Sequence, residues 1–463
     1  MIKRFMRSIV FLAALLGSAA FAAPAQQPAA GAEQERPQAD ETILRPTVST
    51  TRLAVADFVA RTSATAATET AADVFNRVLW DDLEFSGFFR MPSKSFYPLR
   101  PLRAPADVSF ESWQVPTLDV DYLIFGNLQV DASSVVVEAF LFDVKTRSQI
   151  LGKRFTIPEA TIVRRLAHAF ADEVVFRLSA GASRGVAQSL VAFSSKRGQG
   201  KELFLVDYDG FNQRTVTANG GLNKFPNFSS DNQRVAFVTN LPGSSRWELW
   251  VQELGGKGER RVVQVPTSYV SSPAFSPDGS RIAFSARGRN KPSADIYVAT
   301  LSSTAPSNLT NHPGIDTSPS WSPTGRQIAF ISDRSGTPQV WVMDSDGSNL
   351  RRLVTEGGHC DSPDWSPDGK FVAYSWQAPR QWKHDIFVLE VATRRINQLT
   401  TGRGSKENPH WSPDSRHIAF QSTRTGSKQI FIMNADGNNQ RQITAYGQNE
   451  NPAWSGYRSV VQN

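Results

Sequence analysis

A segment of the form Pro-x-(Trp or Phe)-Ser recurs six times in the C-terminal part of the chain and constrains the fold more than any other feature. A second apolar segment, (Val or Ile)-Ala-(Phe or Tyr), also occurs six times. The period of about 45 residues is that of a four-stranded blade of a β-propeller. The first segment begins at Pro226, Pro273, Pro319, Pro363, Pro409 and Pro452, and the second at Val191, Val235, Ile282, Ile328, Val372 and Ile418.

The residue types of the repeat suit this geometry. Each propeller sheet packs between two neighbours, so both of its faces are dry and its strands can be continuously apolar. Ser-Pro-Asp-Gly at 276–279 and 366–369 combines a proline that presets φ with a glycine, as turns require. Asp-Gly pairs at Asp209, Asp346 and Asp436 fit tight hairpins between third and fourth strands. The sequence therefore predicts a mainly β protein with WD40-like, four-stranded blades.

The repeat also predicts how the ring closes. The repeat that begins at Val191 has no Pro-x-(Trp or Phe)-Ser segment before it, whereas Pro452–Ser455 is left over near the C-terminus. We therefore expect the C-terminal segment to supply the innermost strand of the first blade, which leaves no open sheet edge there. The expected propeller has six blades.

Four segments are predicted along the chain. Residues 1–22 combine a basic start, a short apolar run and an Ala-x-Ala-like cleavage site, which is the pattern of a secretory signal peptide. Residues 23–50 form a Pro/Ala/Gln-rich tether, residues 51–185 a small α/β domain, and residues 186–463 the propeller. The single cysteine, Cys360, cannot form an internal disulfide, and we interpret it as a buried structural thiol.

Within the α/β domain, apolar spacing predicts both helices and strands. An amphipathic helix carries Ala71 to Leu79 and is followed by Gly87 as a C-terminal cap, and a second helix carries Ile162 to Val174. The predicted strands are Arg52–Phe58, Tyr122–Val130, Val135–Val144 and Ile150–Ile157.

The motifs that could carry chemistry have simpler structural interpretations. Gly181–Gly185 matches G-x-S-x-G, but it follows a helix and leads into the propeller, so we interpret it as a linker and not as a nucleophile elbow. The six histidines are scattered, without the spacing of metal ligands. We therefore expect no catalytic, cofactor or metal site.

An alternative function remains open at this point: a propeller enzyme, or a sugar- or peptide-binding protein, with its site at the rim of the channel. Asp316, Asp361, Glu407 and Glu450 each precede an innermost strand and could surround such an opening. This alternative predicts converging carboxylates with perturbed pKa values, or a bound metal.

The residues that lead into each Pro-x-(Trp or Phe)-Ser strand form a candidate docking surface. The chain crosses there from the outer strand of one blade to the innermost strand of the next, so all crossings lie on one face around the central channel. A mixture of aromatic and charged side chains suits protein docking. The candidate partner-binding residues are Phe225, Tyr269, Ser272, Thr317, Asp361, Lys406, Glu407 and Glu450.

The order of these features resembles the TolB family, the periplasmic β-propellers of the Tol–Pal system. The resemblance covers nearly everything from Thr51 to Arg458, including the α/β domain, the Pro-x-Trp-Ser-Pro-Asp-Gly-x-x-Ile-Ala-Phe repeats and the closing Asn451–Ser455. It implies a non-enzymatic periplasmic scaffold that docks Pal, a peptidoglycan-binding outer-membrane lipoprotein, on the propeller face. It also implies a link to the inner-membrane protein TolA, and a role in outer-membrane integrity and envelope constriction during cell division.

The sequence departs from the family pattern at the start of the mature chain. In the family a short strand there engages TolA, whereas here the Pro/Ala/Gln-rich tether occupies that place and only Thr42–Leu44 is strand-like. The formal net charge of +7 fits either an acidic partner or solubility alone. We expect a monomer that binds no nucleic acid and does not insert directly into a membrane.

Overall fold

The computed structural model describes most of the chain after the predicted tether. The described ranges are 51–61, 65–131, 134–158, 163–255, 258–263, 269–288, 291–302 and 305–457. The predicted signal peptide and tether lie outside them. Within these ranges, none of the helices has the length and apolar character needed to cross a membrane.

The N-terminal part is an α/β unit with one five-stranded sheet. β1 and β2 run parallel to β3, whereas β3, β4 and β5 are antiparallel, in the order β1-β3-β4-β5 with β2 also on β3. The elements are β1 (Leu53–Val55), β2 (Val59–Ala60), α1 (Ala66–Phe85), β3 (Tyr122–Val130), β4 (Val135–Asp143), β5 (Ser148–Ile157) and α2 (Val163–Leu178). Short 3-10 turns at Lys94–Phe96, Pro105–Asp107 and Phe110–Trp113 lie between α1 and β3.

Helix α1 has clear sequence signals at both of its ends. The side chain of Thr65 accepts a hydrogen bond from the backbone N–H of Thr68, and Gly87 lies just beyond the last turn with φ of +65°. The first predicted strand, Arg52–Phe58, is shorter than expected. It ends at Val55, and the backbone N–H of Phe58 donates to the Asn76 side chain of α1 at 2.8 Å and not to β3.

The rest of the described chain forms six four-stranded antiparallel sheets, which we call blades I to VI. From the centre outwards, blade I consists of β29 (Gln448–Trp454), β6 (Leu190–Lys196), β7 (Glu202–Asp207) and β8 (Arg214–Thr215). Blade II consists of β9 (Lys224–Phe228), β10 (Arg234–Thr239), β11 (Glu248–Glu253) and β12 (Glu259–Val263), and blade III of β13 (Val270–Phe275), β14 (Arg281–Arg287), β15 (Ala294–Thr300) and β16 (Ser307–Asn308).

The remaining three blades follow the same order. Blade IV consists of β17 (Asp316–Trp321), β18 (Gln327–Ser332), β19 (Gln339–Asp344) and β20 (Arg351–Arg352). Blade V consists of β21 (His359–Trp365), β22 (Phe371–Gln377), β23 (Asp385–Glu390) and β24 (Ile396–Gln398). Blade VI consists of β25 (Lys406–Trp411), β26 (His417–Ser422), β27 (Gln429–Asn434) and β28 (Arg441–Gln442).

The hydrophobic core of the ring lies in the seams between neighbouring blades. Ile328, Ala329 and Phe330 of β18 are all fully buried, with Ala329 in the seam to blade V and the other two in the seam to blade III. Both faces of the sheet are thus covered, as a continuously apolar strand requires. The predicted fold class, a mainly β propeller preceded by an α/β domain, is confirmed.

The C-terminal strand closes the ring as the repeat predicts. β29 pairs antiparallel with β6, with Ala453 opposite Ala192 and Trp454 opposite Val191. The backbone N–H of Ser455 adds a hydrogen bond to the carbonyl of Leu190 at 2.9 Å. Blade I is therefore built from both ends of the propeller sequence, and β6 has no open edge.

The α/β unit packs against blades I and VI on one face of the ring. Its contacts are made by residues in or next to first-to-second-strand turns and third-to-fourth-strand hairpins. His417 Nε2 bonds to the carbonyl oxygen of Phe85 at 2.8 Å, and the Tyr208 hydroxyl donates to Asp82 at 2.5 Å. Because strand direction alternates within a blade, the crossings between blades lie on the other face.

Candidate functional site

A cavity opens at the centre of the ring, on the face opposite these contacts with the α/β unit. Residues of all six innermost strands line it, and the six prolines of the repeat line a second cavity further along the same strands. We call this opening the mouth. The face around it carries the blade-to-blade crossings and the loops between second and third strands, and we call it the mouth face. The outer part of the cavity has a volume of about 350 Å³.

A ring of left-handed backbone conformations surrounds the mouth. The residue before each repeat proline has φ between +49° and +54°, although none of the six is glycine. Such φ values are uncommon for other residues and persist only where the surrounding structure fixes the backbone, which is frequent at functional sites. The six residues are Phe225, Ser272, Ser318, Ser362, Asn408 and Asn451.

Each of these residues lies in a bulge where the innermost strand shifts register against the second strand. At three bulges the freed N–H group is satisfied by a side chain of the preceding blade. Ser318 N donates to Ser285 Oγ at 3.1 Å, and Asn408 N to Ser375 Oγ at 3.0 Å. The third such bond joins Asn451 N to the Gln421 side chain at 2.9 Å. Because these bonds cross between blades, they fix the crossings around the mouth.

Deeper in the channel, the variable residue of the repeat makes a second set of links between blades. The backbone N–H of Trp411 donates to Asp364 Oδ2 at 2.7 Å, and that of Trp365 to Ser320 Oγ at 3.0 Å. Burial raises the pKa of Asp364, against the opposing effect of His410 beside it. In the inner channel, Asp364 and Ser320 therefore link neighbouring blades to each other.

The structure brings seven of the eight candidate docking residues together at the mouth. These are Phe225, Tyr269, Ser272, Thr317, Asp361, Glu407 and Glu450. The eighth is placed elsewhere, because the Lys406 side chain is fully buried and forms an ion pair with Asp385 at 2.9 Å. Its ammonium group also donates to the Gly402 carbonyl at 3.0 Å. Lys406 therefore anchors its loop and does not line the mouth.

Three lysines that sequence reasoning missed surround Glu450. The Lys201 ammonium group contacts its carboxylate directly, Lys428 Nζ lies 3.3 Å from Oε2, and Lys224 Nζ lies 3.8 Å from Oε1. Burial would raise the pKa of Glu450, but these ammonium groups outweigh it and lower that pKa. Lys224 directly precedes Phe225 in sequence, which was the one available signal for this cluster.

A carboxylate pair lies elsewhere around the mouth, on blades V and VI. Glu407 accepts a hydrogen bond from the Gln421 side chain at 2.7 Å and faces His384 Nδ1 at 3.7 Å. Asp361 accepts the backbone N–H of Ser362 at 2.7 Å. Both carboxylates line the cavity, so charge is unevenly distributed around the mouth.

Large apolar side chains are exposed on the loops around the mouth. Trp382, between the second and third strands of blade V, is 97% exposed, and Tyr446, before β29, is 78% exposed. Leu222 and Ile315 also lead into innermost strands and are partly exposed. Exposed aromatic groups with a polar surround are typical of protein-binding surfaces.

The residues considered for catalysis have structural partners. Asp316 is buried and pairs with Arg334 at 2.8 Å. In the segment Gly181–Gly185, Ser183 is also buried, and its hydroxyl accepts the N–H of Gly185 at 3.0 Å. The segment directly follows α2, so it lacks the strand-turn-helix context of a nucleophile elbow.

One group of residues in the described part of the chain has the geometry of a metal site: Asp82, His168 and Asp209, at the contact between the α/β unit and blade I. His168 Nδ1 lies 2.7 Å from Asp82, and Nε2 lies 3.4 Å from Asp209. Arg164 also contacts Asp209. Because an imidazolium and a guanidinium already balance the two carboxylates, we interpret the group as a buried ion network.

Two family models match the chain. The model described as the TolB beta propeller domain matches residues 179–383 and 357–461, and the model described as the TolB amino-terminal domain matches residues 42–150. Together they account for most of the sequence beyond residue 41.

Curated relatives and a solved structure agree with these matches. The chain is 34% identical over 71% of its length to a protein TolB homolog of Chlorobium luteolum, covering 73% of that protein. It is 31% identical over 61% of its length to a Tol-Pal system protein TolB of Desulfosudis oleivorans, of which it spans only about half (52%). The crystal structure of TolB from Acinetobacter baumannii superimposes with a TM-score of 0.73 at 23% identity, over 88% of this chain and 97% of that one, which supports the fold.

Proposed function

The chain belongs to the TolB family, whose members are non-enzymatic proteins of the Tol-Pal system, and from this premise we propose that it is a periplasmic docking scaffold. In this proposal the mouth face binds a Pal-type peptidoglycan-associated lipoprotein. Residues 1–22 direct export and are removed. By holding or releasing Pal, the protein contributes to outer-membrane integrity and to envelope constriction during division.

The arrangement of the two folded parts is the main support for this proposal. The α/β unit contacts blades I and VI through turns on one face, as in the bond from Arg416 to the Gly87 carbonyl at 3.1 Å. The mouth face lies on the other side of the ring. Partner docking there would not compete with the α/β unit.

The composition of the mouth face also suits a protein partner. Phe225 and Tyr269 lie in the cavity beside charged groups, and Arg287 lies over the Tyr269 ring at 5.6 Å from its centroid. Trp382 and Tyr446 extend the aromatic surface outwards. Aromatic anchors within a polar rim are the usual basis of affinity between proteins.

A link to a TolA-type inner-membrane protein is the second part of the proposal. It would use the segment before β1, where the match to the amino-terminal family model begins and where the sequence Thr42–Leu44 has the composition of a strand. Any effect of that contact on Pal affinity must be matched by an equal effect of Pal on the contact, because coupling between two binding sites is reciprocal.

Binding to purified Pal from the same organism tests the docking proposal. By isothermal titration calorimetry we expect one Pal to bind with a dissociation constant in the micromolar range or below. Tyr269→Asp should weaken this binding at least tenfold, since it removes an aromatic anchor from the cavity; tenfold corresponds to about 1.4 kcal/mol. The thermal unfolding midpoint should stay near that of the unmodified protein.

A matched variant on the opposite face serves as the control. Leu350→Asp replaces a 39% exposed side chain next to a third-to-fourth-strand hairpin, away from the mouth, and should leave Pal affinity unchanged. Absence of Pal binding to the unmodified protein at micromolar concentrations would refute the proposal. Equal weakening by both variants would refute the assignment of the mouth face.

A further inference from the structure

The charges of Glu450 and the three lysines around it do not balance. Three ammonium groups, of Lys201, Lys224 and Lys428, converge on its single carboxylate. Two net positive charges therefore remain around Glu450. We call these three lysines with Glu450 the lysine cluster.

Burial makes this imbalance matter energetically. The side chains of Lys201 and Glu450 are only 13% and 12% exposed, whereas Lys224 and Lys428 remain 31% and 39% exposed. Burial lowers the pKa of Lys224, and the neighbouring Lys201 lowers it further. Charges in a partly desolvated site interact more strongly than charges in water. An additional anion beside Lys224 and Lys428 would therefore be favourable.

Negative charge lies further around the ring. Asp361 on blade V and Glu407 on blade VI contribute two negative charges to the same cavity. Blades follow one another around the ring in the order I to VI, so blade II, which carries Lys224, faces blade V. Lys428 directly precedes the third strand of blade VI, so the lysine cluster extends over blades VI, I and II. The mouth therefore has a positive side centred on Glu450 of blade I and a negative side at Asp361 and Glu407, on the innermost strands of blades V and VI.

We propose that the mouth selects a docking segment with the complementary charge order: an Asp or Glu side chain seated against Lys224 and Lys428, and a Lys or Arg side chain over Asp361 and Glu407. This inference rests on the proposed docking of Pal and adds how its docked segment is oriented. A segment with the reverse order would place like charges together at both ends and would be rejected. Such complementarity determines orientation and association rate as well as affinity.

The chemistry favours a protein segment over a free anion. Glu450 lies in the middle of the lysine cluster and would repel a small multivalent anion that approached all three lysines. A side-chain carboxylate can instead approach Lys224 and Lys428 from the cavity while its backbone passes over the aromatic rings of Phe225 and Tyr269, which line the same opening.

The experiment compares charge-neutralised variants in binding to Pal from the same organism. We expect the double variant Lys224→Gln/Lys428→Gln to bind about tenfold more weakly or worse, with a shallower dependence of affinity on salt. Lys201 stays in place to pair with Glu450, so the fold should be retained. The double variant Asp361→Asn/Glu407→Gln should also bind more weakly, because it removes the partner of the basic side chain.

The control removes two lysines distant from the mouth. Lys145→Gln/Lys370→Gln changes side chains that are 62% and 73% exposed, on the α/β unit and on a turn of the opposite face, and should bind like the unmodified protein. If Pal binds but the mouth lysine variant keeps its affinity and salt dependence, the charge-order inference is wrong while docking stands. If the carboxylate variant binds more tightly, the segment is acidic throughout and the inference is equally wrong. If the unmodified protein does not bind Pal, both proposals fail.

Discussion

Replacing Trp454 with alanine is expected to lower the free energy of unfolding by about 3–5 kcal/mol, the usual cost of removing a large aromatic side chain from a core. Trp454 is 3% exposed and packs where blades VI and I meet the α/β unit. Its indole Nε1 donates to Ser189 Oγ at 2.7 Å, and its backbone N–H donates to His410 Nδ1 at 3.2 Å. Because its strand closes the ring, loosening it also exposes the edge of β6.

Urea unfolding followed by circular dichroism measures this effect. Trp454→Phe should cost less than the alanine variant, since the ring still packs and mainly the hydrogen bond to Ser189 is lost, which is worth about 1 kcal/mol. Trp382→Ala changes a 97% exposed tryptophan and should stay within about 0.5 kcal/mol of the unmodified protein. A Trp454→Ala protein as stable as Trp382→Ala would mean that the C-terminal strand does not hold the ring shut.

The propeller could be predicted from the sequence because each blade repeats the same local rule. A strand such as Ile328-Ala329-Phe330 is apolar throughout, and only a sheet covered on both faces buries all three residues. The surplus segment at Pro452 then had one place to go, beside the strand that starts at Leu190. The repeat period, the turn residues and the strand composition all indicate the same fold, and such agreement makes a fold predictable from its sequence.

The charges at the mouth could not be predicted in the same way. Lys201 and Glu450 are far apart in sequence and meet only because the ring closes. Lys406 was chosen for its position before a repeat proline, yet its side chain turns into the blade to reach Asp385. The left-handed backbone before each proline was also unexpected, because a following proline favours extended conformations. These features depend on the assembled ring and not on any local pattern.

The contact between the α/β unit and the propeller contains a buried ion network that the sequence likewise did not reveal. His168 lies between Asp82 and Asp209, and the Tyr208 hydroxyl donates to Asp82 at 2.5 Å. Burial alone would lower the pKa of His168, but the charges and hydrogen bonds of the two aspartates outweigh it and raise the pKa to about 10. His168 is therefore an imidazolium at neutral pH and joins α2 to both α1 and blade I.

Burial raises the pKa of Asp82, and the charge of His168 opposes that effect. Replacing His168 with alanine is therefore expected to destabilise the protein by about 3–5 kcal/mol, because it leaves this buried acidic group without its cation. The folded-state pKa of His168 lies above its unfolded value of about 6.5, so its contribution is fully present below pH 6.5 and is lost as the pH rises through about 10. Urea unfolding at pH 7 and at pH 10.5 should therefore show a larger loss for the unmodified protein than for the variant.

A double variant separates the charge from the packing at this site. Asp82→Asn/His168→Gln removes both charges while keeping polar side chains of similar size. It should recover most of the stability that His168→Ala loses, because replacing both partners of a buried ion pair is far less costly than removing one. Its stability should also change less between pH 7 and pH 10.5. If His168→Ala costs under about 1 kcal/mol, or if its stability falls with pH as steeply as that of the unmodified protein, then His168 is not the charged link between the two parts of the chain.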